Sequence, residues 1–146
     1  MPNKNGLVLV INPGSTSTKI AVYRNNIAEF ERTIRHSADE LKQFEGRSVL
    51  EQRDYRAALI RDELEKAGYQ IKDFAAVAGR GGLLPPVTSG TYVVDDTLLE
   101  ELRLARRGEH ASNLGGVLAY HFAGLAGVNA YVVDPVSVDE WQDCAR

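Results

Sequence analysis

Four short segments hold the residues whose types and spacing suit chemistry. The first is Asn12-Pro13-Gly14-Ser15-Thr16-Ser17-Thr18-Lys19, set between two apolar runs. A hairpin needs only about two turn residues, so four consecutive hydroxyl residues are a surplus. Hydroxyls and backbone N–H groups receive a polyphosphate from several directions. Gly14 permits close backbone approach, and Lys19 adds a charge at the far end. An ordinary polar turn fits the same residues. The segment is not a P-loop, because it lacks the Gly-Lys-Ser/Thr ending and opens no helix.

The second segment is Gly79-Arg80-Gly81-Gly82, directly after the apolar run Phe74–Ala78. Carboxyl ends of strands are common ligand sites in α/β sheets. An arginine there can grip a carboxylate or phosphate through two parallel hydrogen bonds. A surface arginine in a flexible glycine loop is the alternative. The third, Glu109-His110-Ala111-Ser112-Asn113-Leu114-Gly115-Gly116, puts His110 just before an expected helix start, where N–H groups attract anions. A plain helix cap by Ser112 or Asn113 explains those two residues equally well. The fourth is Val132-Val133-Asp134-Pro135, a carboxylate at the end of a buried strand. It suits Mg²⁺ held with waters and substrate phosphates, or a simple Asp-Pro turn. His36, in a polar loop, and His121, in an apolar helix, are weaker candidates. No zinc-spaced Cys/His cluster and no serine elbow for acyl transfer occurs.

Elements must position these segments. Strands are expected at 7–12, 19–23 and 27–34, the last two joined by the Asn25-Asn26 turn. Residues 35–48 are polar and take no clear assignment. A helix over 49–67 buries Ala57, Ile60, Leu64 and Ala67, and Gly68 closes it. A strand over 73–78 ends at Gly79, Pro85-Pro86 mark a loop, and a short strand follows at 91–94. Helices are expected at 97–106, capped by Asp96, and at 112–126. The last strand is 130–134, and a helix-like segment begins at Val138. Three successive strands followed by alternating elements predict an α/β mixed sheet that opens in a β-meander, with helices packed on it. The uncharged stretch 114–133 is broken by glycines, His121 and Asn129, so it reads as helix, turn and strand rather than a membrane span.

The 146 residues suit one domain and are enough to bury a core. The net charge of −3 weighs against a nucleic-acid or basic membrane binder. The single cysteine, Cys144, excludes a disulfide-stapled scaffold and suits a reducing compartment. The start lacks the apolar run of a signal peptide. The final residues, Trp141–Arg146, contain no helix stop, as in a chain that ends inside an element.

Taken together and in order, the four segments resemble the acetate and butyrate kinase family. Asn12–Lys19 is similar to that family's opening phosphate motif, Asn-x-Gly-Ser-Ser/Thr-Ser-x-Lys. The runs 77–86, 108–116 and 132–140 look closest to the butyrate kinase branch. The resemblance spans nearly the whole chain, as the N-terminal part of a protein more than twice as long. It implies an RNase H-like domain of the actin, Hsp70 and sugar-kinase superfamily, the first of two around a cleft. Residues 1–146 would be that N-terminal domain, with the C-terminal nucleotide domain absent. The implied reaction is carboxylate plus ATP giving acyl phosphate plus ADP, with ATP and Mg²⁺ required.

Carried over residue by residue, the resemblance places Asn12, Gly14, Ser15, Ser17 and Lys19 at the nucleotide phosphates, with Asn113 also at the nucleotide. Arg80 would bind the substrate carboxylate, His110 would donate to the travelling phosphoryl group, and Asp134 would organise Mg²⁺. A carboxylate is already ionised at pH 7, so no general base is needed. Alignment and charge neutralisation then carry the catalysis. The acetate kinases have bulky aliphatic residues just after this arginine, whereas Gly81 and Gly82 follow Arg80 here. The extra room predicts butyrate or isobutyrate over acetate, at about 0.8 kcal/mol per buried methylene. The family's adenosine pocket and a further active-site arginine come from the later half, so the chain alone is expected to have little or no activity. Acetate or propionate kinase, or a non-catalytic nucleotide-binding module, are the alternatives. A cytoplasmic location, a homo-oligomer in the full-length form, and no nucleic-acid or membrane partner complete the expectation.

Overall fold

The computed structural model describes residues 6–25, 27–47, 49–80, 91–93 and 114–133. Strands β1 (Leu7–Pro13), β2 (Ser17–Arg24) and β3 (Ile27–Arg35) form the opening antiparallel meander. Three strands follow: β4 (Ala76–Arg80), β5 (Thr91–Val93) and β6 (Ala130–Val133). The described sheet runs β3-β2-β1-β4-β6-β5. β1, β4 and β6 are mutually parallel, and β5 pairs antiparallel to β6. This is the α/β mixed sheet that the order of elements predicted.

Period-two alternation in β1 buries Leu7, Leu9 and Ile11 and leaves Val8, Val10 and Asn12 half-buried. The buried set joins Ile20 and Val22 of β2, Val77 of β4 and Val132 of β6 in one core. Among the described residues, two helices close that core: α2 (Arg53–Lys66) through Ala57, Ile60 and Leu64, and α3 (Leu114–Ala126) through Leu114, Leu118 and Phe122. The residue after the α2 C-cap, Gly68, has φ +92°, a left-handed turn that favours glycine.

The structure differs from the expected elements in three places. The polar stretch after β3 contains a short helix α1 (Ala38–Leu41), because Ser37 and Glu40 cap each other's backbone N–H groups reciprocally. Residues 49–52 form a 3₁₀ turn, so α2 starts only at Arg53. The expected strand 73–78 lies later, at Ala76–Arg80, because β1 and β6 both pair with it up to Gly79 or Arg80. Arg80 is therefore a strand residue, not part of a loop. The stretch 114–133 is α3, a turn and β6, and no helix among the described residues is long and apolar enough to cross a membrane. His110, Asn113, Asp134, Gly81-Gly82, the expected helix at 97–106 and the segment from Val138 lie outside the described residues.

Backbone meets backbone where α3 crosses β4. A Cβ on Gly79 would overlap the Gly115 carbonyl, and a Cβ on Gly115 would overlap the Arg80 carbonyl. The two glycines let the first turn of α3 lie directly on the carboxyl end of β4.

Candidate functional site

The strand register collects three of the expected site residues. Lys19 of β2 stands opposite Asn12 of β1. Ile11 is registered with Gly79, so Asn12 falls beside Arg80 one step further along. Arg80 in turn is registered with Val133, the residue before Asp134. Cross-strand neighbours share a face, and the preceding line (Ile20, Ile11, Gly79, Val132) is buried toward the helices. The line of Lys19, Asn12 and Arg80 therefore faces away from α2 and α3. Lys19 is exposed, while Asn12 and Arg80 are half-buried. Two cations and an amide thus share one row at the carboxyl end of the parallel strands, where α/β sheets commonly bind anionic ligands.

Beside this row lies the β1–β2 turn. Ser15 and Thr16 are exposed, and Gly14 and Ser17 are half-buried. Gly14 N–H donates to Ser17 O at 2.7 Å and closes the turn. A Cβ at Gly14 would meet Ser17 Oγ at 3.5 Å, an ordinary contact, so the turn itself does not require glycine there. Thr18 is fully buried and points inward, so it is not part of the exposed hydroxyl set.

The arginine that holds the turn from behind is not among the residues that the sequence singles out. Arg56 of α2 is 0% exposed. Its Nη1 donates to Gly14 O (2.7 Å), Ser17 O (3.0 Å) and Thr18 Oγ1 (3.1 Å). Its Nη2 donates to Ser15 O (3.3 Å), and both Nη2 and Nε donate to Gln52 Oε1. The backbone N–H of His36 donates to Thr16 O at 2.8 Å. One signal was available: Arg56 precedes Ile60 and Leu64 at four-residue steps, a charge on the buried stripe of its helix.

His36 is also buried, and its Nε2 lies 2.8 Å from Thr18 Oγ1. That hydroxyl also accepts from Arg56, so one threonine oxygen links the buried imidazole to the guanidinium. Burial, and then the charge of Arg56, hold the His36 pKa below the usual histidine value. Burial also lowers that of His121, which packs edge-on against Phe122. A depressed histidine pKa stabilises the fold above the ordinary value near 6.5, and that stability is lost as pH falls below it. Urea unfolding midpoints should therefore drop between pH 7 and pH 5. His36→Asn should flatten that slope by up to about 1.4 kcal/mol per pH unit. An unchanged slope would show that His36 titrates normally in the folded chain.

No protein-family model matches the chain. Over 139 residues, 95% of its length, it is 46% identical to butyrate kinase 1 of Clostridium acetobutylicum. Over the same length it is 48% identical to a probable butyrate kinase of Listeria monocytogenes. Each match covers 39% of the relative. Among solved structures, a propionate kinase from Francisella tularensis aligns with TM-score 0.53 and 14% identity, over 90% of this chain and 37% of that one. Acetate kinase from Entamoeba histolytica gives 0.54 and 17%, over 88% and 34%. These two likenesses establish the fold. By sequence the chain is similar to these butyrate kinases over nearly its whole length, and it spans 39% of the length of those relatives.

Proposed function

We propose that the chain supplies the carboxylate-binding and phosphate-binding half of a kinase that transfers a phosphoryl group between ATP and a short-chain acid, with butyrate or isobutyrate preferred over acetate. The observation that carries this reading is the row of Lys19, Asn12 and Arg80 at the carboxyl ends of parallel strands, in a chain similar to butyrate kinases. In it, Asn12, Gly14, Ser15, Ser17 and Lys19 receive the nucleotide phosphates, with Asn113 on the nucleotide side. Arg80 takes the acid's carboxylate, and His110 donates to the moving phosphoryl group. Among the described residues no three His, Cys, Asp or Glu side chains come together as metal ligands. On the resemblance, Asp134 would hold Mg²⁺, in the way a carboxylate commonly does with waters and substrate phosphates. There Mg²⁺ would neutralise charge on the phosphates. A cytoplasmic, homo-oligomeric enzyme is part of the same reading.

The acid's carboxylate is itself the nucleophile, so the protein's work is to align two anions and offset their repulsion. The test is acyl phosphate formation, read as hydroxamate, with butyrate and acetate. It uses this chain alone and the chain extended to the length of its relatives. The extended form should turn over butyrate faster than acetate, and the chain alone should show little or no activity. A clear preference for acetate refutes the reading of Gly81-Gly82 as room for a longer acid. Appreciable turnover by the chain alone refutes the need for the remaining length.

A further inference from the structure

We propose that Arg56 is a positioning residue that gives the β1–β2 turn its affinity for phosphate by drawing the turn's carbonyl groups inward. This rests on the phosphate reading of the turn given above. A loop that receives an anion must present donors and withhold acceptors, because a carbonyl oxygen aimed at a phosphate repels it. Residues 14–17 carry four carbonyls, and each already accepts a hydrogen bond from the protein. Arg56 accepts responsibility for Gly14, Ser15 and Ser17, and the His36 N–H takes Thr16. The exposed hydroxyls of Ser15 and Thr16 are left on the outer side.

The charge of Arg56 points the same way. None of the ion pairs among the described residues involves Arg56. A buried cation normally needs a counter-charge, and burial here pushes its pKa down to about 10. Gln52 fixes the guanidinium through a neutral oxygen and does not cancel the charge. A carboxylate in place of Gln52 would have stabilised the fold and reduced the positive potential behind the turn. The uncompensated charge lies directly beneath the place where an anion would dock.

The experiment titrates inorganic tripolyphosphate into the ¹⁵N-labelled chain and follows the amide signals of Ser15 and Thr16. Arg56→Lys keeps the charge but has three rotatable donors in place of the planar fork. It should weaken binding at least about tenfold, since one lost charge-assisted hydrogen bond has that effect. Ile60→Val, one turn along the same helix and fully buried, should lower stability and leave affinity unchanged. If Arg56→Lys folds and binds like the wild type, Arg56 is not the positioning residue and the proposal fails. If that variant does not fold, the Nε–H signal of Arg56 in the wild type decides: it should shift as tripolyphosphate is added, and an unmoved signal refutes the proposal. Should the wild type itself bind no tripolyphosphate, the phosphate reading of the turn falls, and this proposal falls with it.

Discussion

Gly115→Ala should cost the fold about 3 kcal/mol or more, near the upper end for overpacking, although alanine is the better helix former. Its Cβ would overlap the Arg80 carbonyl. A backbone carbonyl of a strand residue registered with β6 cannot rotate aside as a side chain would. Gly79→Ala meets the same obstacle from the strand side, against the Gly115 carbonyl. Either substitution must lift the first turn of α3 off β4. Once that gap is open the second Cβ fits into it, so the double variant should cost clearly less than the sum of the two. Gly124 is the control, because it lies on the same helix with nothing within 4 Å of its Cβ position. Gly124→Ala should stabilise by about 0.5–1 kcal/mol through helix propensity alone. Urea denaturation of the four variants measures all of this. Full stability in Gly115→Ala would mean that α3 does not rest on β4 as closely as described.

That contact shows where the sequence was readable and where it was not. The meander was readable because β1 and β2 alternate at period two on a buried face, a local property of each segment. In the sequence, Gly81-Gly82 read as room for a longer acid, and nothing local gave Gly79 or Gly115 a role. Gly79 and Gly115 instead serve each other, a contact between residues 36 positions apart in the chain that no local pattern shows. Ser37 and Glu40 carried a capping signature in a stretch left unassigned. Asn12, Lys19 and Arg80 come to one row through topology, since β1 and β4 run parallel and β2 returns beside β1. Arg56 showed in the sequence only as a charge on a buried stripe, because its contacts depend on how the first turn of α2 abuts the hairpin, and His36 read only as a weaker candidate in a polar stretch. Thr18 was grouped with its neighbouring hydroxyls, but strand alternation turns it inward toward both of them.

Arg80→Met, in the chain extended to the length of its relatives, should raise KM for butyrate and lower kcat/KM by about two to three orders of magnitude. Leaving a desolvated carboxylate without its arginine costs about 2–5 kcal/mol, and each 1.4 kcal/mol is about a factor of ten. Arg80 is half-buried on the face away from the helices, so the fold should tolerate the change. Arg80→Lys should recover only part of the loss, because a point charge does not reproduce two parallel hydrogen bonds. KM for ATP should move little, since the nucleotide phosphates are assigned to the turn and Lys19. That split separates the two roles on one row of the sheet. A mutation at Arg80 that weakened ATP and butyrate equally would place it at the phosphates. An unchanged butyrate KM would remove it from the acid site altogether.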